Sequence, residues 1–167
     1  MGILAKLLKA LNSDSSPWQL AFGFTLGMIM GLTPILGLHT LILIFVVLFF
    51  RVNISSFLVA WALFALFTLP LDSLMASIGE SLLTTESLQP FWTVLYSSTF
   101  GQLTQFYHTL TLGSLIFTLL LSPVLLFASK YLVIQYRVKV MVWVNKIKLV
   151  QFIKGSNFYR LYQALGE

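Results

Sequence analysis

The chain has 167 residues, of which 58% are apolar and only 9% charged, with a formal net charge of +5. Soluble domains carry about 25% charged residues, so this chain has too little charge to cover a water-facing surface. The mean hydropathy of +0.92 agrees. The absence of cysteine excludes a disulfide framework, a thiolate metal site and a cysteine nucleophile.

Residues 1–12 read as an amphipathic helix. Ile3, Leu4, Leu7, Leu8 and Leu11 share one face, with Lys6 and Lys9 opposite. Such a helix lies on an anionic membrane surface. The lysines interrupt the apolar run and no small-residue cleavage site follows, which argues against a signal peptide. Lys6 stands where a myristoylation site needs Ser or Thr.

Ser16-Pro17-Trp18-Gln19 is a helix start, with Ser16 as cap, Pro17 in the first turn and Gln19 completing a capping box. The stretch 17–50 reads as a hairpin. One apolar arm ends at Gly31-Leu32-Thr33-Pro34, Pro34 and Gly37 break the helix, and a second arm runs from Ile35 to Phe50. Arms of about 16 residues reach about 24 Å, short of a hydrocarbon core of about 30 Å. A re-entrant hairpin or two tightly linked short spans fit this length. Gly23, Gly27 and Gly31 share one face at four-residue spacing, which lets helices approach closely in lipid.

A third segment with its extension covers 55–83, kinked or ended by Pro70 and followed by Asp72. Thr84 to Ser87 reads as a loop. Residues 88–108 read as an uncharged outer interfacial helix with Trp92, Tyr96 and Tyr107. A last span covers 110–136 with Pro123 inside, and 137–167 forms a basic, aromatic-rich amphipathic tail. No 20–50-residue repeat is visible. The expected architecture is therefore a single all-α integral membrane domain over 1–167. It contains a short broken-helix hairpin, two further transmembrane helices and amphipathic flanking helices.

All ten Lys and Arg fall in three places: Lys6 and Lys9, Arg51, and the seven from Lys130 to Arg160. The stretch between Val52 and Ser129 has none and holds Asp72, Glu80 and Glu86. Cytoplasmic loops collect Lys and Arg. Both termini and the Arg51 turn are therefore expected in the cytoplasm, with residues from about 70 to 108 outside. This orientation also discounts Asn53-Ile54-Ser55 as a glycosylation sequon.

The turn from Gly31 to Thr40 brings an imidazole, hydroxyls and freed backbone to membrane depth. Broken backbone survives there only when buried in protein or reached by water, and polar groups there are functional candidates. Thr33, Pro34, Gly37, His39 and Thr40 are the candidates, set against the plain alternative that His39 bonds a freed carbonyl near Pro34. Arg51 is suited to a lipid phosphate and Asn53 to capping the next helix. Asp72 is expected either to pair with Arg51 or His39 or to sit solvated at the interface. The tail is expected to bind anionic headgroups, not nucleic acid. No nucleophile elbow, His-Glu-x-x-His, phosphate loop or carboxylate pair beside a histidine occurs, and His39 and His108 make a weak metal case. No enzyme activity, metal or cofactor is expected.

The residues Ser16 to Gly23, Gly31-Leu32-Thr33-Pro34, Gly37 to Leu41 and Arg51-Val52-Asn53 resemble a family of small bacterial inner-membrane proteins of uncharacterised function. The likeness covers Ser16 to about Leu83. Members similar to this chain are often encoded beside a large AsmA-like protein, a β-rich periplasmic bridge for phospholipid. The resemblance implies an inner-membrane partner that anchors such a bridge and helps phospholipid leave the bilayer. Thr68 to Asp72 stands where the broader family often has an Asn-Pro element, so no role for that asparagine carries over. Membrane phospholipid and a second copy of the chain are the other expected partners. The rival reading is a small oligomeric transporter or channel subunit with its pathway at the His39 turn.

Overall fold

Ser16 starts the first helix as its chemistry dictates. Its hydroxyl accepts from the Gln19 N–H at 3.2 Å, and the Gln19 side chain accepts from the Ser16 N–H at 2.9 Å. Together they satisfy two donors that the helix leaves orphaned. The structure is a computed structural model that describes residues 15–140. The expected helix at 1–12 and the tail beyond Val140 lie outside the described residues.

The described residues are helical, without strand. In chain order they form α1 (Pro17–Leu32), α2 (Leu38–Phe49), α3 (Ile54–Ala65), α4 (Thr68–Thr84), a 3-10 turn at Glu86–Leu88, α5 (Gln89–Ser97), α6 (Thr99–Thr104) and α7 (Thr109–Gln135). A π-helical turn follows at Tyr136–Val140. The chain divides into two compact units, Met1–Lys130 and Tyr131–Glu167. All of the packing below belongs to the first.

The largest interface joins α1 to α3. A Cβ added at Gly23 would stand 2.6 Å from the Asn53 carbonyl, and one at Gly27 would meet the Phe57 carbonyl and stand 2.7 Å from the Ala60 Cβ. At Gly31 it would stand 2.9 Å from both the Trp61 carbonyl and the Phe64 Cβ. The glycine stripe thus lies against α3 along its whole length, not against the second hairpin arm. The matched order of these contacts makes α1 and α3 parallel. The Asn53 N–H donates to the Gln19 carbonyl at 3.3 Å and the Ser56 hydroxyl to the Leu20 carbonyl at 2.8 Å, which ties the two starts together. The Thr68 hydroxyl donates to the Gly31 carbonyl at 2.9 Å and ties the ends.

The third segment breaks earlier than Pro70. The helix stops at Leu66 and Phe67, and α4 leaves at 81° to α3. Pro70 falls in the first turn of α4, where its missing N–H leaves no helix bond unmade. The expected outer helix over 88–108 is also two helices. Ser98 adopts extended backbone and accepts from the Gly101 N–H at 3.0 Å, so it ends α5 and caps α6. Gln105 then closes α6 in the left-handed region, at φ 58°.

α7 is long and apolar enough to cross a membrane. It crosses α4 where both backbones lack side chains. A Cβ on Gly79 would run into the Thr109 carbonyl, and one on Gly113 into the Met75 carbonyl. Leu110, Phe117, Leu121 and Leu125 of α7 then pack on the core formed by Met28, Ile29, Leu32, Phe57 and Met75.

On α2 and α7, large apolar side chains are exposed while several polar ones are buried. In α2 the buried residues are His39, Thr40, Leu43 and Val47, while Leu41, Ile42, Phe45 (63% exposed), Leu48 (66%) and Phe49 face outward. In α7, Thr111, Ser114 and Thr118 are buried while Leu119, Leu120, Val124 and Phe127 are exposed.

Candidate functional site

The hairpin turn is built by the C-terminus of α1. The Thr33 N–H donates to the Ile29 carbonyl at 3.1 Å, and its hydroxyl donates to the same oxygen at 2.7 Å. The residue before a proline is driven to extended backbone, and Thr33 at ψ 150° follows this rule. Pro34 is half-buried, and Ile35 and Leu36 project from the tip.

Gly37 caps α2 and offers no side chain for the purpose. The place of its missing Cβ is filled by His39, with Cε1 2.6 Å and Nδ1 2.7 Å away. The imidazole therefore folds back over the first turn of its own helix. Its Nε2 lies 2.8 Å from the Pro34 carbonyl oxygen. A carbonyl only accepts, so Nε2 carries a hydrogen and donates, leaving Nδ1 as a bare acceptor in the neutral ring. Nδ1 is buried without a partner, and so is the Thr40 hydroxyl. His39 is 8% exposed and Thr40 7%.

The expected bond between His39 and a carbonyl freed by Pro34 is thus present, and it uses one ring nitrogen only. Thr33, Pro34, Gly37, His39 and Thr40 form one cluster. Arg51 and Asn53 do not join it. They lie level with the start of α1, about 24 Å away along a 16-residue helix. Arg51 is exposed and sits at φ 49°, in the left-handed region that favours glycine. Asn53 caps α3 as expected. Its Oδ1 accepts from the Ser56 N–H at 2.8 Å, and its Nδ2 donates to the Ser15 hydroxyl at 2.9 Å.

Asp72 lies one turn beyond Thr68, whose hydroxyl bonds α1 at Gly31. It belongs to the turn end of the bundle and not to the Arg51 end. One of its carboxylate oxygens is buried without a partner, and it pairs with neither Arg51 nor His39. The 81° departure of α4 separates it from Arg51. No group of three or more metal-ligating side chains occurs among the described residues.

Two aromatic groups stand out that sequence reasoning only half anticipated. Trp18 stacks on Phe22 at 5.8 Å and meets Phe127 edge-on at 6.1 Å, and the Lys130 ammonium lies 3.9 Å from its ring centre. This group gathers at the start of α1. At the other end of α7, a chain of rings links Phe91, Trp92, Tyr96 and Tyr107, and the Trp92 indole donates to the Leu82 carbonyl at 3.0 Å. Burial pushes the Tyr96 phenol above its ordinary range. The Ser56 and Thr68 hydroxyls, which clamp α3 and α4 to α1, were missed as well. A small hydroxyl residue in the first turn of each helix is the signal that marks them.

A protein of Treponema pallidum (strain Nichols), described as an uncharacterised protein, is 29% identical to this chain over 113 residues, covering 68% of this chain and 70% of that protein. No solved structure matches. Residues 3–141 match the family described as uncharacterised protein conserved in bacteria (DUF2062), so the chain belongs to that bacterial family.

Proposed function

We propose that this chain is a multi-pass protein of the bacterial inner membrane with both termini cytoplasmic, and that its α1–α2 hairpin is re-entrant. The observation that carries the reading is the inverted exposure of α2, with His39 and Thr40 inside and Leu41, Ile42, Phe45, Leu48 and Phe49 outside. Water would penalise that surface at about 25 cal/mol per Å² of apolar area, whereas hydrocarbon would not. The spacing of the aromatic groups adds support. From Thr109 to Lys130, α7 rises about 32 Å, which matches a hydrocarbon core of about 30 Å with a ring cluster at each end.

Within that frame the chain anchors an AsmA-like periplasmic bridge and helps phospholipid leave the inner membrane. The short arms support the lipid role. Arms of about 24 Å for α1 and about 18 Å for α2 that turn back leave the bilayer locally thin, and Arg51 at the cytoplasmic end of the second is placed to hold headgroups. The Trp92–Tyr107 surface is the docking face for the partner. The bridge itself rests on the family resemblance. Affinity purification of the tagged full-length chain from native membranes tests it. Recovery of a large periplasmic protein together with phospholipid is expected; repeated recovery of the chain without either overturns the reading.

The second reading, a transporter or channel subunit, is favoured by the unpartnered Nδ1 of buried His39. Reconstituted flux separates the two. A large loss of small-solute flux in His39→Ala supports a solute pathway, and no flux in the native chain removes it.

A further inference from the structure

We propose that the first turn of α2 is a binding site for a phosphate oxyanion, carried on a lipid headgroup or free in solution. The inference rests on the membrane reading above and assigns a ligand to the hairpin turn. α2 is a 12-residue helix whose cap residue, Gly37, makes no side-chain bond to it. The Thr40 N–H closes on the Gly37 carbonyl at 3.1 Å, but the Leu38 and His39 N–H groups before it have no carbonyl one turn back, and the aligned peptides place roughly half a positive charge there. Helix starts of this kind hold phosphates and other anions.

The second, independent observation is the pair of buried, unpartnered side-chain atoms at the same turn. His39 Nδ1 lies against Gly37, and the Thr40 hydroxyl is one residue on. Nδ1 cannot be relieved by exchanging tautomers, because Nε2 must keep its hydrogen for the Pro34 carbonyl. A bare lone pair beside a helix start is surrounded by donors and finds none aimed at it. A phosphate bound together with a proton taken up from water resolves this. The proton settles on Nδ1, the ring carries a positive charge, and Nδ1–H, the Thr40 O–H and the Leu38 and His39 N–H groups donate to the oxyanion. The charge on the ring and the charge on the ligand then offset each other where neither is stable alone.

The surroundings favour this ligand over a cation. α1 and α6, the helices against α2, carry no titratable side chain, and neither does α3. Asp72 and Glu80 on α4 are the acidic groups of the neighbouring helices, and Asp72 makes no bond to His39. Gly37 is required because any side chain there displaces the ring.

The test uses the full-length chain with 15N-labelled histidine in maltoside micelles. His108→Gln leaves His39 as the single ring signal. Phosphatidylglycerol is expected to move the Nδ1 resonance from the bare to the protonated range, whereas diacylglycerol, which lacks phosphate, leaves it in place. Inorganic phosphate producing the same movement identifies a free anion as the source; movement with the lipid alone identifies the headgroup. Thr40→Val, whose helicity is checked by circular dichroism, is expected to need at least tenfold more ligand, and Gly37→Ala the same or more. No movement with either phosphate source, or equal movement with diacylglycerol, overturns the proposal. Alkaline extraction of native membranes keeps the two readings apart. A chain that resists extraction but shows no Nδ1 response sinks this site alone, and a chain that is extracted sinks the membrane reading beneath it.

Discussion

The backbone N–H of Asn53 donates to the carbonyl of Gln19 at 3.3 Å. After α1, the turn and α2, the chain has come back to the level from which it set out. α3 then retraces α1 in parallel, with the Asn53 side chain reaching Ser15 and the Ser56 hydroxyl reaching Leu20. The hairpin is closed by hydrogen bonds at its open end and by glycine packing along one arm.

Removing these bonds should therefore loosen the hairpin. Asn53→Ala deletes a helix cap and the link to Ser15, a loss of about 1–2 kcal/mol. Ser56→Ala leaves the Leu20 carbonyl with one partner fewer and costs about 1 kcal/mol. The two sites share a helix turn, so the double variant should fall short of the sum. Unfolding in mixed micelles with increasing dodecyl sulfate, followed by circular dichroism, measures all three.

Gly27 offers a sharper test of the α1–α3 interface. The groups crowding its missing side chain are the Phe57 carbonyl, the Ala60 Cβ and the Trp61 nitrogen, which are backbone or next to it and cannot swing aside. Gly27→Val should cost about 3 kcal/mol or more, at the upper end of overpacking. Leu58→Ala, on the exposed face of α3, should stay within about 0.5 kcal/mol. Equal losses in the same unfolding assay would mean that the glycine stripe does not set the packing.

The local devices of this fold were readable from sequence, and the long-range ones were not. The Ser16–Gln19 box and the Asn53 cap act within three residues, so their residue types announce them. The glycine stripe was visible as a stripe, but its partner was not. Ser56 and Ala60 give α3 a small-residue track, while α2 offers leucine, isoleucine, valine or phenylalanine at ten of its twelve positions and cannot accept three bare glycines. The break at Ser98 was missed because the apolar pattern runs on across it, although a serine three residues before a glycine marks the cap. The turn cluster of Thr33 to Thr40 was legible from its proline, glycines and histidine. That His39 leaves one nitrogen without a partner depends on where the ring folds, and no spacing rule gives that. Nothing in an arginine signals the left-handed backbone of Arg51.

That backbone gives a prediction in which stability and binding move apart. A residue with a Cβ pays about 1 kcal/mol in the left-handed region, and glycine does not. Arg51→Gly should stabilise the chain by about that amount in micelles. A cation near an anionic surface contributes about 1 kcal/mol to its attraction, so the same variant should bind phosphatidylglycerol-rich vesicles several-fold more weakly. Destabilisation on replacement by glycine would show that the arginine side chain makes a contact that outweighs the strain.

The orientation can be read with the thiol chemistry that the native chain lacks. Arg51 and Glu86 are both exposed. Arg51 lies beside the returned end of the hairpin, and Glu86 follows α4, which packs at Met75 and Gly79 against the far end of α7. The stretch of α7 between that crossing and Lys130 covers about 32 Å, enough to put the two positions on opposite sides of a bilayer. With Arg51→Cys and Glu86→Cys as single substitutions, an impermeant maleimide added to intact spheroplasts should label position 86. Position 51 should react only after lysis. Labelling of both from outside would place Arg51 across the membrane from where its charge belongs, and would overturn the orientation of the whole hairpin.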